Sequence, residues 1–466
     1  MNKVVKKIAI LFSLVNLGLF TGGCESFVDI KTQGSLVPKD VTNYRYLLNN
    51  TSAYETGIIL GDLASDDIAI VDAAQQTSLL NISYSYYKNT YTWQDDIFPL
   101  STSYENDTDW NTMYARIFRT NTIISELPTS NGPETDKAKL TAEALVHRAD
   151  AYLTLVNQYG KPYNATTASS DLGVPLLLTQ TFSQSLNRAS VETVYQQILT
   201  DLKQALPNLL ATQQYNTLPS KPSAYGLLAR TYLYMSNYKM AEAYADSALA
   251  LRSTLNNMAT MTATSTFPKR INDPEILLSK IASYGTSAYT PTAMRLSDDL
   301  LSLFDANDQR YNLFTVPASR VSSTYTGRYF YREIITGENR NLGPSVPEMM
   351  LIKAESLARN GQATQAMTWV NNLRKNRVLS TAYTPLTATS NDDALVKVIN
   401  ERRREFCFRM LRWWDMRRLK SEPLFQKTIT RTFNGVTYTL APDSKRYVLP
   451  IAQYLTKMNP ELVSNP

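Results

Sequence analysis

The chain has 466 residues, 43% hydrophobic and 19% charged, a balance that fits a folded globular protein and excludes a disordered or multi-span membrane one. The formal net charge is +6, and three of the lysines fall within the first seven positions, so the rest of the chain sums to +3. Two cysteines and one histidine exclude a disulfide framework and a thiolate–imidazole zinc set, and no resident metal or cofactor is expected.

Lys3, Lys6 and Lys7 precede an apolar run over residues 8–20 that is too short to anchor across a bilayer and reads as a secretory signal. The run ends in Thr21-Gly22-Gly23-Cys24. Small residues before a cysteine resemble the bacterial lipobox, although Thr21 stands where Leu is usual. Cys24 is therefore the expected lipidation site, with residues 1–23 as signal peptide and 24–38 as lipid anchor and tether. Glu25 and Asp29, close behind it, favour export to the outer face. Cys407, between Phe406 and Phe408, reads as a small buried apolar residue.

Residues 39–466 read as one α-helical domain. A first helix is expected near 39–49, followed over 66–106 by a loop crowded with aromatics. Trp110, Met113, Tyr114, Ile117, Asn121 and Ile124 recur at spacings of three and four, which predicts a helix over 109–127 ended by Pro128. A second helix is predicted over 134–159, with Leu145, Ala149, Tyr152 and Leu155 on one face and Gly160 closing it. Ser190 is a good N-cap for a third, with Thr193 where Glu or Gln would complete a capping box.

Residues 223–251 have a tetratricopeptide layout: Leu227, Leu228 and Tyr232, a turn at Ser236-Asn237, then Tyr238, Ala241, Tyr244, Ala248 and Leu249. A second copy over 347–374 turns at Asn360-Gly361. Neither pair can bury its apolar face alone. The expected fold is mainly α, a tetratricopeptide-like scaffold with helical pairs at 109–159, 190–251 and 347–420. A loop-rich insertion with short strands is expected at 252–346. Residues 401–419, ERRREFCFRMLRWWDMRRL, are predicted as one amphipathic helix of about five turns. Its arginines are spaced to pair with Glu401, Glu405 and Asp415, so nucleic acid is not an expected partner. Trp413 and Trp414 are expected to fill a joint with the second helical pair.

Several of these segments together resemble the SusD/RagB family of outer-membrane nutrient-binding lipoproteins. The resemblance rests on Trp110, Tyr114, Ile117, Asn121 and Ile124; on Glu143-Ala144, Arg148-Ala149, Tyr152, Gly160 and Gly173-Val174-Pro175-Leu176; and on residues 191–206, 224–249, 305–310, 348–359 and 401–419. The closing Tyr447-Val448-Leu449-Pro450-Ile451 with Asn459-Pro460 also fits, although Ala452 replaces the usual Pro. His147 stands where the family has an apolar residue and reads as structural. The resemblance implies a protein that binds oligosaccharides, or in some members peptides, at the cell surface. It would act as a hinged lid on a SusC-like TonB-dependent transporter, passing the ligand on with no bond broken, its contacts carried on loops.

A sugar presents an apolar C–H face and a rim of hydroxyls, and flat aromatic rings edged by polar groups hold both. Two regions offer that mixture. One holds Tyr84, Tyr87, Tyr91, Trp93 and Asp95; the other holds Tyr284, Tyr289, Tyr325, Arg328 and Tyr329. Trp93 reads equally as site or as packing. Asp62, Asp66, Asp67, Asp95 and Asp96 supply carboxylates, but nothing fixes a hydrolytic pair, and no nucleophile elbow, metal motif or phosphate loop occurs, so no enzyme is expected. The alternative class is a tetratricopeptide-type lipoprotein that binds a partner protein; the anchor and the tyrosine-rich insertions favour nutrient binding.

Overall fold

The computed structural model describes residues 38–80, 86–282 and 294–465. Short helices, among them α1 (Val41–Leu48), α2 (Leu60–Ala64) and α3 (Tyr86–Tyr91), lead into the frame. The frame comprises α4 (Thr108–Glu126), α5 (Glu134–Tyr159), α6 (Val191–Ala205), α7 (Lys221–Tyr234), α8 (Tyr238–Leu251), α9 (Val346–Arg359), α10 (Ala363–Arg374), α11 (Asn391–Glu405) and α12 (Leu411–Leu419). Three two-stranded antiparallel ribbons complete it: β1 (Leu172–Pro175) with β2 (Arg188–Ser190), β3 (Thr315–Pro317) with β4 (Arg328–Phe330), and β5 (Ile429–Phe433) with β6 (Val436–Leu440). The fold is mainly α, as the periodicity predicts.

Successive helices pack face to face, α4 on α5, α5 on α6, α7 on α8, α8 on α9 and α9 on α10. Fully buried alanines at 224, 229, 241, 245, 248, 354 and 366 let the axes approach. Gly226 of α7 lies under residue 344: a Cβ there would sit 3.0 Å from the Pro344 ring. Ser190 Oγ accepts the Thr193 amide at 3.1 Å, and the two hydroxyls lie 2.8 Å apart, a hydroxyl variant of the capping box.

The residues that carry the family resemblance form one hub. Arg148 on α5 forks Asp201 on α6 at 2.8 and 2.7 Å and donates to Asn121 Oδ1 on α4 at 2.9 Å. Asn121 then donates to the Leu177 and Thr179 carbonyls, Tyr114 to the Pro175 carbonyl, and the Tyr152 hydroxyl to the Leu177 carbonyl while accepting the Leu177 amide. Three helices and the strap at and after β1 are thus joined largely by side chains spaced seven apart on α4 and four apart on α5. His147 is buried, its Nδ1 3.0 Å from Lys280 Nζ and its ring 4.6 Å from that of Tyr54. That is a structural role.

Residues 401–419 are not one helix. The chain leaves α11 after Glu405, passes through left-handed backbone at Phe408 (φ 54°) and Met410 (φ 67°), and re-enters as α12. Phe406, Cys407, Phe408, Met410 and Leu411 are all buried, and such a cluster cannot share one helix face. Asp62 accepts the Met410 amide at 2.7 Å and caps the new helix. Helical spacing therefore misplaces some pairings. Asp415 takes Arg418 at 2.8 Å as predicted, but also Arg402 at 2.8 Å across the break, while Arg412 forks Asp66 at 2.6 and 2.8 Å and Arg403 reaches Asp67 at 2.7 Å. Glu401 and Glu405 each take Arg310 at 2.8 Å, and Glu405 takes Arg377 as well. Enclosed and matched to carboxylates, Arg402, Arg403, Arg412 and Arg418 are interior wiring rather than a phosphate-binding surface.

Trp413 stacks on Tyr447 (centroids 5.4 Å apart, 15° between planes), and Trp414 meets the Tyr234 ring edge-on at 5.6 Å. Gly61 makes this fit possible, because a Cβ there would lie 2.5 Å from Met410 Cε and 3.1 Å from Trp413 Cδ1. The tryptophans fill a joint with α2, α7 and residue 447, whereas the second helical pair is reached through Arg418 and Glu355 at 2.5 and 2.7 Å. The stretch 66–106, expected as a loop, contains a short helix, Ala73–Leu80, as well as α3. Its aromatics Tyr86, Tyr87, Tyr91, Trp93 and Phe98 are core.

Candidate functional site

Tyr84, Tyr284 and Tyr289, like Cys24, lie outside the described residues. Of the first region's remaining candidates, Tyr87, Tyr91 and Trp93 are each no more than 2% exposed. The Tyr91 hydroxyl accepts the Ile70 amide at 2.9 Å, and the Trp93 indole donates to the Ala64 carbonyl at 2.9 Å. Between the two rings lies the guanidinium of Arg431 from β5, 4.1 Å from the Tyr91 centroid and 4.2 Å from that of Trp93. An aromatic face that already carries a cation has no room for a pyranose. These three side chains are packing, a correction to their reading as ligand contacts. Asp95 is exposed and is forked by Arg446 at 3.0 and 3.2 Å, which holds its carboxyl below the usual carboxylate range.

In the second region Arg328 is also committed. It donates to Thr315 Oγ1 at 2.8 Å and to the Thr315 carbonyl at 3.1 Å, with its guanidinium 3.9 Å over the Tyr311 ring. Tyr329 is enclosed and stacked on Tyr325 (5.8 Å, 22°). Among the described residues its hydroxyl has no hydrogen-bond partner, and burial together with the nearby Asp72 pushes its pKa up. Tyr325 is half-buried, so its ring is the one that a solute can reach among the described aromatic candidates.

Segment 68–76 draws the two regions together. Ile70 meets Tyr91, Ala69 donates to the Arg295 carbonyl at 3.0 Å, and Asp72 accepts the Thr326 amide and hydroxyl at 2.9 and 2.7 Å. Gln76 reaches the Thr432 carbonyl and the Asn434 amide, at 3.2 and 2.8 Å, and so ties in the β5–β6 ribbon. Val71 is 51% exposed beside Asp72, and Thr326 is exposed beside Tyr325. The result is a surface with an apolar side chain, an accessible ring and polar edges. No periodicity marks Val71, Asp72 or Thr326, whose role depends on contacts across roughly 250 residues.

The described carboxylates singled out in the sequence are engaged in structural contacts. Asp62, Asp66 and Asp67 serve α11 and α12 as described, and Asp96 accepts Gln453 at 2.6 Å. Asp107 and Asp109 are both buried, and desolvation pushes them up to about 7 and about 6. Asp107 caps α4 through the Trp110 amide and accepts the Tyr159 hydroxyl at 2.6 Å, and Asp109 accepts the Ile59 and Leu60 amides. They hold helices together. Among the described residues no group of three or more His, Cys, Asp or Glu is placed to hold a metal ion.

Two clefts escape sequence reasoning. One of about 460 Å³ opens between the segment after α5, the C-terminal end of α12 and residues 443–448. The other, about 310 Å³, lies beside Asp66, Arg403, Arg412, Phe425 and Lys427. None of the described ligand candidates lines either.

Residues 27–233 match the family described as "Starch-binding associating with outer membrane", SusD-like, and residues 307–466 match the SusD family, SusD/RagB. The chain belongs to the SusD/RagB family. Two SusD-like proteins of Formosa agariphila are each 24% identical to it: P38, over 89% of this chain and 92% of its own, and P2, over 76% and 78%. Among solved structures, a SusD superfamily protein from Bacteroides thetaiotaomicron superposes with a TM-score of 0.71 at 19% identity, covering 92% of this chain and 100% of that one. A SusD-like carbohydrate binding protein from Bacteroides vulgatus gives 0.67 at 19% identity, covering 91% and 97%. These likenesses establish the SusD fold. SusD/RagB membership carries carbohydrate binding and association with the outer membrane as the class of function.

Proposed function

We propose that this SusD/RagB protein is a cell-surface lipoprotein that captures oligosaccharides and hands them to a SusC-like TonB-dependent transporter, acting as a lid that breaks no bond. The observation that carries this reading is the match of both halves of the chain to the family. In this reading residues 1–23 are removed, Cys24 is acylated, residues 24–38 are the tether, and 39–466 are the binding domain, with its helical pairs at 109–159, 190–251 and 347–420 and an insertion at 252–346. The ligand is held by Tyr325 with the Asp72 and Thr326 edge, and by Tyr84, Tyr284 and Tyr289. Sugar hydroxyls exchange water for protein partners at little net gain, so single-site affinity is modest, and confinement beside the transporter compensates by raising the effective concentration.

The test is purification from native outer membranes in mild detergent. A large barrel protein is expected to co-purify, and Cys24→Ala is expected to move the protein to the soluble fraction. A protein that comes alone and stays membrane-bound without Cys24 would overturn the reading.

A further inference from the structure

The 460 Å³ cleft carries a charge imbalance that the fold does not resolve. Five cations and two carboxylates line it. Lys161 is matched by Asp171 at 2.6 Å, and Arg418 by Glu355 and Asp415. Among the described lining residues, that leaves Arg417, Lys420 and Lys445 facing Asp443. Arg417 is 3% exposed and donates to the Gly160 carbonyl; among the described residues its Nε is buried without a partner and no carboxylate pairs with it. Lys420 donates to the Pro442 carbonyl at 2.9 Å and lies 5.1 Å from the Tyr447 ring centroid, again with no carboxylate among the described residues in contact. Burial pushes Arg417 down to about 10, and burial together with the Arg417 charge pushes Lys420 down.

A bland explanation exists. Arg417 and Lys420 stand at the C-terminal ends of α5 and α12, where cations complement the helix dipole. That dipole end is equivalent to about half a negative charge and favours a cation by about 0.3–1 kcal/mol. It does not neutralise an enclosed guanidinium beside an ammonium group. A cleft of this size lies within the range of about 300–1,000 Å³ seen for small-ligand sites. Pro162 and Val448 add apolar wall beside the cations, which suits the C–H face of a sugar ring.

We propose that this cleft is a second saccharide subsite, selective for an anionic substituent, and that Arg417, Lys420 and Lys445 receive that group. The carboxylate of a uronic acid and a sulfate ester present the same chemistry. The proposal rests on the glycan-binding reading and narrows it to acidic glycans.

The experiment is calorimetric titration of the full mature protein with tetragalacturonate, a sulfated galactan tetrasaccharide and uncharged tetrasaccharides of the same sugars. It is repeated at 50 and 300 mM salt and with the Lys420→Gln/Lys445→Gln double variant, whose fold is checked by near-ultraviolet circular dichroism. At least one acidic oligosaccharide is expected to bind about tenfold tighter than its uncharged counterpart. That advantage should shrink at the higher salt and in the double variant, while uncharged-sugar binding stays unchanged. Which acidic probe binds separates carboxylate from sulfate. Equal affinity for acidic and uncharged sugars, or an acidic preference that survives the double variant, overturns the subsite alone. Absence of binding by every sugar overturns the glycan reading with it.

Discussion

Trp93→Ala separates packing from recognition. The indole is 2% exposed, donates to the Ala64 carbonyl and covers one face of the Arg431 guanidinium. Truncating a buried Trp costs about 3–5 kcal/mol. Leaving the Ala64 carbonyl unpaired adds about 1 kcal/mol at the low end of its range, and uncovering a desolvated cation–π contact adds about 2 kcal/mol. These contributions overlap, so a net loss of about 5 kcal/mol is expected. For a chain of this length the melting entropy is about 0.9 kcal/mol/K, and the midpoint should fall by about 5 °C. Trp93→Phe, which keeps a ring against Arg431, should fall by less than half of that. Calorimetric melting gives both numbers, and titration with a bound oligosaccharide at 25 °C should give unchanged affinity for both variants. A variant that melts like the wild type but binds sugar tenfold more weakly would refute the assignment of Trp93 to the core.

Tyr325→Ala should behave in the opposite way, with melting within about 1 °C of wild type and at least fivefold weaker oligosaccharide binding, a loss of about 1 kcal/mol; unchanged affinity would remove the 68–76 surface as the ligand face. Glu348→Ala should lower stability in urea by about 3–5 kcal/mol, because Arg230, forked by Glu348 at 2.7 and 2.6 Å, is left charged and enclosed. Replacing both partners by Leu should recover most of that loss. Asp107 is pushed up by burial to about 7, so its protonated form is the one the fold favours. Its stabilising contribution is complete below pH 4 and is lost as pH rises through about 7. Asp107→Asn, which keeps the cap on the Trp110 amide, should therefore gain stability relative to wild type between pH 4 and 7, measured by urea titration at each pH.

The helical frame was legible because its signals are local: three- and four-residue spacing, Ser190 as N-cap, and paired helices with alanines at their contact. Sequence spacing failed where the decisive contact is distant. Residues 401–419 carry helix-like spacing, yet the cluster Phe406-Cys407-Phe408 with Met410 needs the interior on more than one side, and Asp62 rewards the break by capping Met410. Similarly, Tyr91-Thr92-Trp93 looks like a sugar platform until Arg431, over 300 residues away, is seen between the rings. The accessible edge formed by Val71, Asp72 and Thr326 has ordinary loop composition and no motif. The cations of the large cleft carry no motif, and only the structure shows which carboxylates are already engaged.

The most direct test of the central claim is calorimetric titration of the mature protein with a panel of neutral and acidic oligosaccharides and nutrient-type peptides, followed by chromatography of the recovered ligand. Saturable binding of at least one oligosaccharide, recovered at its original length, is the expected result. Tight binding to a partner-protein tail with no sugar or nutrient peptide bound, or recovery of shortened sugar, would contradict a non-catalytic glycan-capturing role.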